Sequence, residues 1–243
     1  HRTSRRQRQM CIRDRGVAGL RCEEDALRIL RAFRFTRRDD GELWRMDDAL
    51  RQAIVLHATR LSMVAIERRW MEVQKILEGT RPGAVLAAMQ DQGVLRHVFE
   101  HLRVLSPSLF KALDDERLMA LNLHQRLALM MVEHPTKEAV NQLKALRTSN
   151  QLQRLTASFH ERIGHLPDDD HPSLRVFNHV LTNEAEAHLK TLHVLAEGSF
   201  HLHTGRTFDP DVVSNVMKRW STMPQRTDPC LLYTSDAADD WFC

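Results

Sequence analysis

Glycine and proline are scarce in this 243-residue chain, with nine and eight copies, and tyrosine occurs once. Turn-rich all-β folds draw heavily on those residues, so their scarcity argues against a sandwich or barrel and for helix. No apolar run is long enough to cross a bilayer, and no membrane association is expected. The basic start, residues 1–15, is followed by no apolar stretch of the kind a secretory signal carries. Cysteine occurs four times, and three copies, Cys11, Cys230 and Cys243, lie near the chain ends. With only Cys22 between them, neither a disulfide framework nor a cysteine zinc site can be built there. A single cysteine suits a reducing cytoplasm.

The two ends are related to each other. Arg5 to Asp14 reads RRQRQMCIRD, and Cys230 to Asp239 reads CLLYTSDAAD. One back-translation of the first, reverse-complemented and shifted by one base, encodes the second. The shared DNA resembles a transposon-type sequencing adapter read in both orientations. Residues 1–15 and 230–243 are therefore expected to be translated adapter, outside the evolved fold. The first fifteen residues carry six Arg and one Asp, and the last fourteen carry three Asp. Taking +5 and −3 out of the formal +3 leaves +1 for residues 16–229, so bulk charge makes no case for nucleic acid.

Between the ends the apolar spacing is helical. Glu23 to Phe35 predicts one helix, with Leu27, Ile29, Leu30, Phe33 and Phe35 as its apolar positions and Arg28, Arg31 and Arg34 spaced by three. Asp39, Asp40 and Gly41 should break it. Further helices are expected over 47–57, from an N-cap at Ser62 through Met63, Ile66, Trp70 and Val73 to Leu77, and from Pro82 to Gly93. A short helix over 94–104 follows, then helices near 108–114, 124–133, 136–146 and 149–164. Residues 166–172 read as a linker, before helices over 173–181, 183–197 and 210–223. The fold class expected is an all-α multi-helix array without a sheet. The chain divides into 16–104 and 105–229 between the two adapter-like ends.

The sharpest local feature is Glu24-Asp25-Ala26-Leu27-Arg28. Asp25 and Arg28 are three apart and share a helix face. A carboxylate beside a forked guanidinium can read a base edge that presents an amine next to an acceptor, as cytosine and adenine do. The same pair can equally be an intrahelical salt bridge.

The string Glu23 to Phe35 resembles the neck motif of the class II tRNA nucleotidyltransferase and poly(A) polymerase family: Glu-Asp, two residues, Arg, two residues, Arg, ending in Arg-Phe. Ile66-Glu67-Arg68, Glu72 and Lys75-Ile76-Leu77 resemble its next element, and Ala87-Ala88-Met89, Gly93-Val94-Leu95 and Val98-Phe99 the one after. Two departures stand out. Ala26 occupies a position where Pro or Tyr is common, which we read as solvent-facing, and the family's Ser before Glu-Arg is displaced to Ser62.

The resemblance implies a neck, body and tail fragment of an enzyme that adds CCA to tRNA 3′ ends from CTP and ATP. The alternatives are a poly(A) polymerase of the same family and a helical interaction module with no nucleotide role. It also implies nucleotide-binding roles for Glu24, Asp25, Arg28 and Arg31, with Asp25 and Arg28 on the base. The partners implied are nucleoside triphosphates and tRNA or another RNA 3′ end, with the oligomeric state open. Catalytic carboxylates and Mg²⁺ would belong to a head domain, so the fragment alone is expected to be inactive. No metal site is expected from the fourteen histidines: neither His201 with His203 nor His160 with His165 has a third ligand at fixed spacing. Lys144, Arg147, Arg154, Arg162, Lys190, Lys218 and Arg219 are interleaved with acids, so each reads as solvated surface that could also meet RNA phosphate.

Overall fold

The computed structural model describes residues 18–36, 45–100, 102–168, 170–181, 184–198, 200, 202 and 205–223. Both adapter-like ends, the Asp39 to Gly41 break, His201 and His203 lie outside them. The described residues form α-helices and short 3-10 turns, with no strand. In chain order the helices are α1 (Ala18–Glu24), α2 (Leu27–Phe35), α3 (Asp48–His57), α4 (Ile66–Leu77), α5 (Pro82–Asp91) and α6 (Pro107–Leu113). There follow α7 (Leu123–Met130), α8 (Thr136–Ala145), α9 (Asn150–Ile163), α10 (His171–Leu181), α11 (Ala185–Glu197) and α12 (Pro210–Thr222).

Local chemistry explains most boundaries. Asp47 caps α3 by accepting from the Leu50 amide at 2.7 Å. Asn122 and Gln125 close a reciprocal capping box on α7. Ser149 caps α9, and α5, α6 and α12 each open on a proline. Gly93, at φ +68°, ends α5 by turning the chain so that the Val94 amide reaches back to the Met89 carbonyl at 2.8 Å.

Four expectations fail. Ser62 is not a cap: it lies in a 3-10 turn, Ala58–Met63, and its hydroxyl donates to the Thr59 carbonyl. Two expected apolar positions are exposed: Met63, from the stripe of α4, and Phe35, whose ring lies under the Arg34 guanidinium instead of in the core. Of the expected helix over 94–104, the described residues make only the 3-10 turn Leu95–His97 and continue without helix. The physical reason is Gln90, whose amide donates to the Leu105 carbonyl and accepts the Leu105 amide, pinning the returning chain to α5. Lastly, the helix expected over 23–35 is two helices, broken at Asp25-Ala26.

α1 packs on α3, α2 on α4 and α5, α5 on α6, and α7 on α9. One apolar core runs from Cys22 to Val213, including Phe33, Ile54, Ile76, Met89, Phe99 and Phe159. A smaller cluster, Leu174, Phe177, Leu181, Leu189, Val216 and Met223, joins α10, α11 and α12. Buried Arg126 crosses between segments. Its guanidinium donates to the carbonyls of Leu77 (2.5 Å), Gly79 (2.6 Å) and Met119 (2.7 Å). α6 and α5 are joined by Asp114, whose two oxygens accept the Gly83 and Ala84 amides at 2.7 and 2.8 Å. No helix among the described residues is long and apolar enough to cross a membrane.

Candidate nucleotide-base site

The junction of α1 and α2 is made by Asp25. Its Oδ1 accepts the Leu27 amide at 3.1 Å, while its carbonyl accepts from the Arg28 amide. An aspartate that captures an amide two residues on competes with the continuing helix and restarts it, which is why the break falls here. Ala26 is buried at the junction, not solvent-facing. Leu27, Ile29, Leu30 and Phe33 carry α2 into the core.

The polar side of α2 rests on α4. Asp25 pairs with Arg68 at 3.6 Å. Glu72, with a side chain only 5% exposed, gathers three cations: Arg34 at 2.8 Å, Arg31 at 3.5 Å and Lys75 at 3.7 Å. A buried carboxylate is stable only when its charge is met, and one carboxylate among three cations leaves the cluster net positive. Arg60 pairs with Glu23 at 3.0 Å, tying α1 to the turn before α4.

The four residues singled out from the sequence therefore differ in setting. Arg28 is exposed and Asp25 half-buried, and they do not pair with each other. The local salt bridge is absent; Asp25 spends its charge on Arg68. Glu24 is exposed, with no ion pair among the described residues. Arg31 leans on Glu72 with part of its side chain open. Sequence reasoning missed Arg68 and Glu72 as partners. Both lie in the second recognised element, but nothing in the sequence states which residue of α2 each one meets.

Among the described residues no three His, Cys, Asp or Glu side chains are placed to hold a metal. His160 has a structural setting instead: it is buried, with Nδ1 against the Thr136 hydroxyl at 3.0 Å and Nε2 against the Met131 carbonyl at 2.9 Å.

Residues 45–105 match the family described as "Probable RNA and SrmB-binding site of polymerase A". The chain is similar to the mitochondrial CCA tRNA nucleotidyltransferase 1 of Danio rerio, at 32% identity over 133 residues, which cover 48% of this chain and 31% of that protein. It is also similar to the CCA-adding enzyme of a Geobacillus species (35% over 79 residues, 32% of this chain and 19% of that protein). The CCA-adding enzyme of Streptococcus pyogenes serotype M5 matches at 29% over 153 residues, 60% of this chain and 36% of that protein. The aligned parts thus span about a fifth to a third of these relatives. A solved structure titled "tRNA-processing enzyme (apo form 2)" shares the fold, with a TM-score of 0.57 at 16% identity, covering 86% of this chain and 60% of that one. The matched segment and the relatives make this chain similar to the CCA-adding enzyme and poly(A) polymerase family, and the solved structure shares its fold.

Proposed function

We propose that this chain is the neck, body and tail of a template-independent RNA nucleotidyltransferase that adds CCA to tRNA 3′ ends from CTP and ATP. The observation that carries this reading is the opening of α2. Arg28 is exposed, with no ion pair among the described residues, one turn after a half-exposed Asp25, on a helix braced by Arg68 and Glu72 of α4. Asp25 accepts from the amine of cytosine or adenine, and Arg28 donates to the adjacent ring acceptor. Guanine and uracil present the opposite pattern and are rejected. Arg68 limits rotation of the Asp25 side chain and Glu72 fixes the helix that carries Arg28, and selection between bases needs such fixed geometry. Glu24 and Arg31 flank the site. Arg31 and Arg34, drawn together by Glu72, supply positive potential for a triphosphate or an RNA phosphate. Phosphoryl transfer, with its Mg²⁺, belongs to a separate catalytic head. The relatives named CCA-adding enzymes favour CCA addition over poly(A) addition, and the family described by RNA binding favours RNA as the partner.

The test is single-nucleotide incorporation into a tRNA ending at its discriminator base, with each of the four triphosphates. This chain alone is expected to incorporate nothing. In an enzyme rebuilt with a catalytic head on this neck, Asp25→Ala and Arg28→Ala should each weaken the preference for CTP and ATP over UTP and GTP. The expected loss is about one to two orders of magnitude, because a bidentate base contact contributes roughly 1–3 kcal/mol of discrimination. Leu27→Ala is the control: it opens a cavity in the core and should lower the melting temperature without changing base choice. Unchanged nucleotide preference in both polar variants would reject the base-reading role.

A further inference from the structure

Away from the neck, α8 and α9 form a shallow groove of about 470 Å³ lined by Val140, Lys144, Asn150, Gln153, Arg154 and Ala157. Two cations and two side-chain amides line it, and no carboxylate does. Lys144 and Arg154 are exposed, and neither forms an ion pair among the described residues. Other surface cations are neutralised in place: Arg117 by Asp115 and Glu197, Arg147 by Glu67, Lys190 by Glu186. The groove is distinguished by two exposed cations side by side with no carboxylate on its walls. Lys137, also exposed and without an ion pair among the described residues, extends the stripe on α8. It lies two turns before Lys144, about 10 Å along the axis, with Asn141 between them. The first carboxylate on the facing stripe of α9 is Glu161, two turns beyond Arg154.

We infer that this α8–α9 groove is a binding site for a phosphodiester backbone, with Lys144 and Arg154 on adjoining phosphates and Lys137 on a phosphate further along the same strand. The site rests on the RNA nucleotidyltransferase reading and gives it a second foothold, on the body and away from the base-reading helix. A single small anion would need convergent donors in an enclosed pocket. Here the cations are strung along an open groove, which suits a linear polyanion. The walls present Asn150 and Gln153, amides that hydrogen-bond ribose or phosphate oxygen without selecting a base, so binding there positions RNA and carries no sequence preference.

The experiment is fluorescence anisotropy of an end-labelled tRNA lacking its CCA, titrated with the full chain at several salt concentrations. The double variant Lys144→Ala/Arg154→Ala is expected to bind about ten-fold more weakly. Its log–log salt slope should shrink by about 2, roughly one unit for each phosphate that no longer meets a cation. Lys144→Arg/Arg154→Lys keeps both charges and should bind like the original. Lys190→Ala, which removes a cation already paired, should leave binding within about two-fold. The Arg-rich first fifteen residues are common to every variant, so their attraction for RNA cancels in the comparison. A double variant with unchanged affinity and slope would overturn the groove while leaving the RNA reading intact. No tRNA binding by the unaltered chain would defeat both. Displacement by inorganic phosphate beyond that of chloride at equal ionic strength would mark a single-anion site and overturn the extended one.

Discussion

Gly83→Ala is expected to lower the unfolding free energy by about 3–5 kcal/mol, read as a drop in both the urea midpoint and the melting temperature. Alanine normally favours a helix over glycine by nearly 1 kcal/mol, so the expected sign is reversed by the surroundings. A β-carbon at position 83 would stand 1.9 Å from the Phe110 carbonyl oxygen and 2.8 Å from its carbon. Those are backbone atoms of α6, and no rotamer change relieves the overlap. The helices must separate, at the roughly 1–3 kcal/mol usual for overpacking or more. Separation also stretches the bonds from the Gly83 and Ala84 amides to Asp114, each contributing about 1 kcal/mol or more. Gly198→Ala supplies the contrast. Its added carbon would meet the Phe200 ring at 2.4 Å, and a ring can turn aside. Equal costs at the two positions would show that α5 and α6 can part without penalty.

Stability should also fall steeply with acid, and His188 should be a principal cause. The ring is fully buried between Phe159 and Phe177, with Nε2 donating to the His165 carbonyl at 2.9 Å and Nδ1 left without a partner. Burial, with help from the charge of Arg162, outweighs the His165 carbonyl and Glu184 and pushes its pKa down from 6.5 to about 4. The folded state thus holds the neutral ring, and the unfolded chain takes up the proton first. The stabilisation is complete above pH 6.5 and is lost as pH falls toward 4. A separation of that size corresponds to about 3 kcal/mol. Burial also lowers the pKa values of His97 and His134, so the total slope is shared. The difference between the unaltered chain and His188→Asn isolates one contribution. Urea unfolding at about pH 7, 5.5 and 4.5 is expected to show a shallower decline in the variant. Parallel declines would mean that His188 is protonated in the folded state.

The helical frame was largely legible because its signals are local. Asp47 before α3, Pro82 and Gly93 around α5, and Ser149 before α9 act within a few residues of themselves. What escaped depends on partners distant in sequence. Nothing between Glu23 and Phe35 interrupts the apolar spacing, and there is no Gly or Pro. The break at Asp25 comes from one side chain capturing one amide, with Arg68 holding that side chain from another helix. Val94, Leu95, Val98 and Phe99 are buried, but Gln90 fixes the chain after them in a non-helical path. In the candidate site the residue types and their order were readable, whereas the bracing by Glu72 was not, since it joins positions about forty residues apart.

Arg126 has a consequence for how the molecule opens. Its guanidinium holds the end of α4 through Leu77, the following turn through Gly79 and the segment before α7 through Met119. Releasing any one of these segments strands a buried charge, so none of them can fray by itself at low cost. The amides around Leu77 and those of α7 should therefore exchange with solvent in one cooperative event and not as separate local fluctuations. Because α4 also carries Arg68 and Glu72, the scaffold under α2 shares the lifetime of the body beneath it.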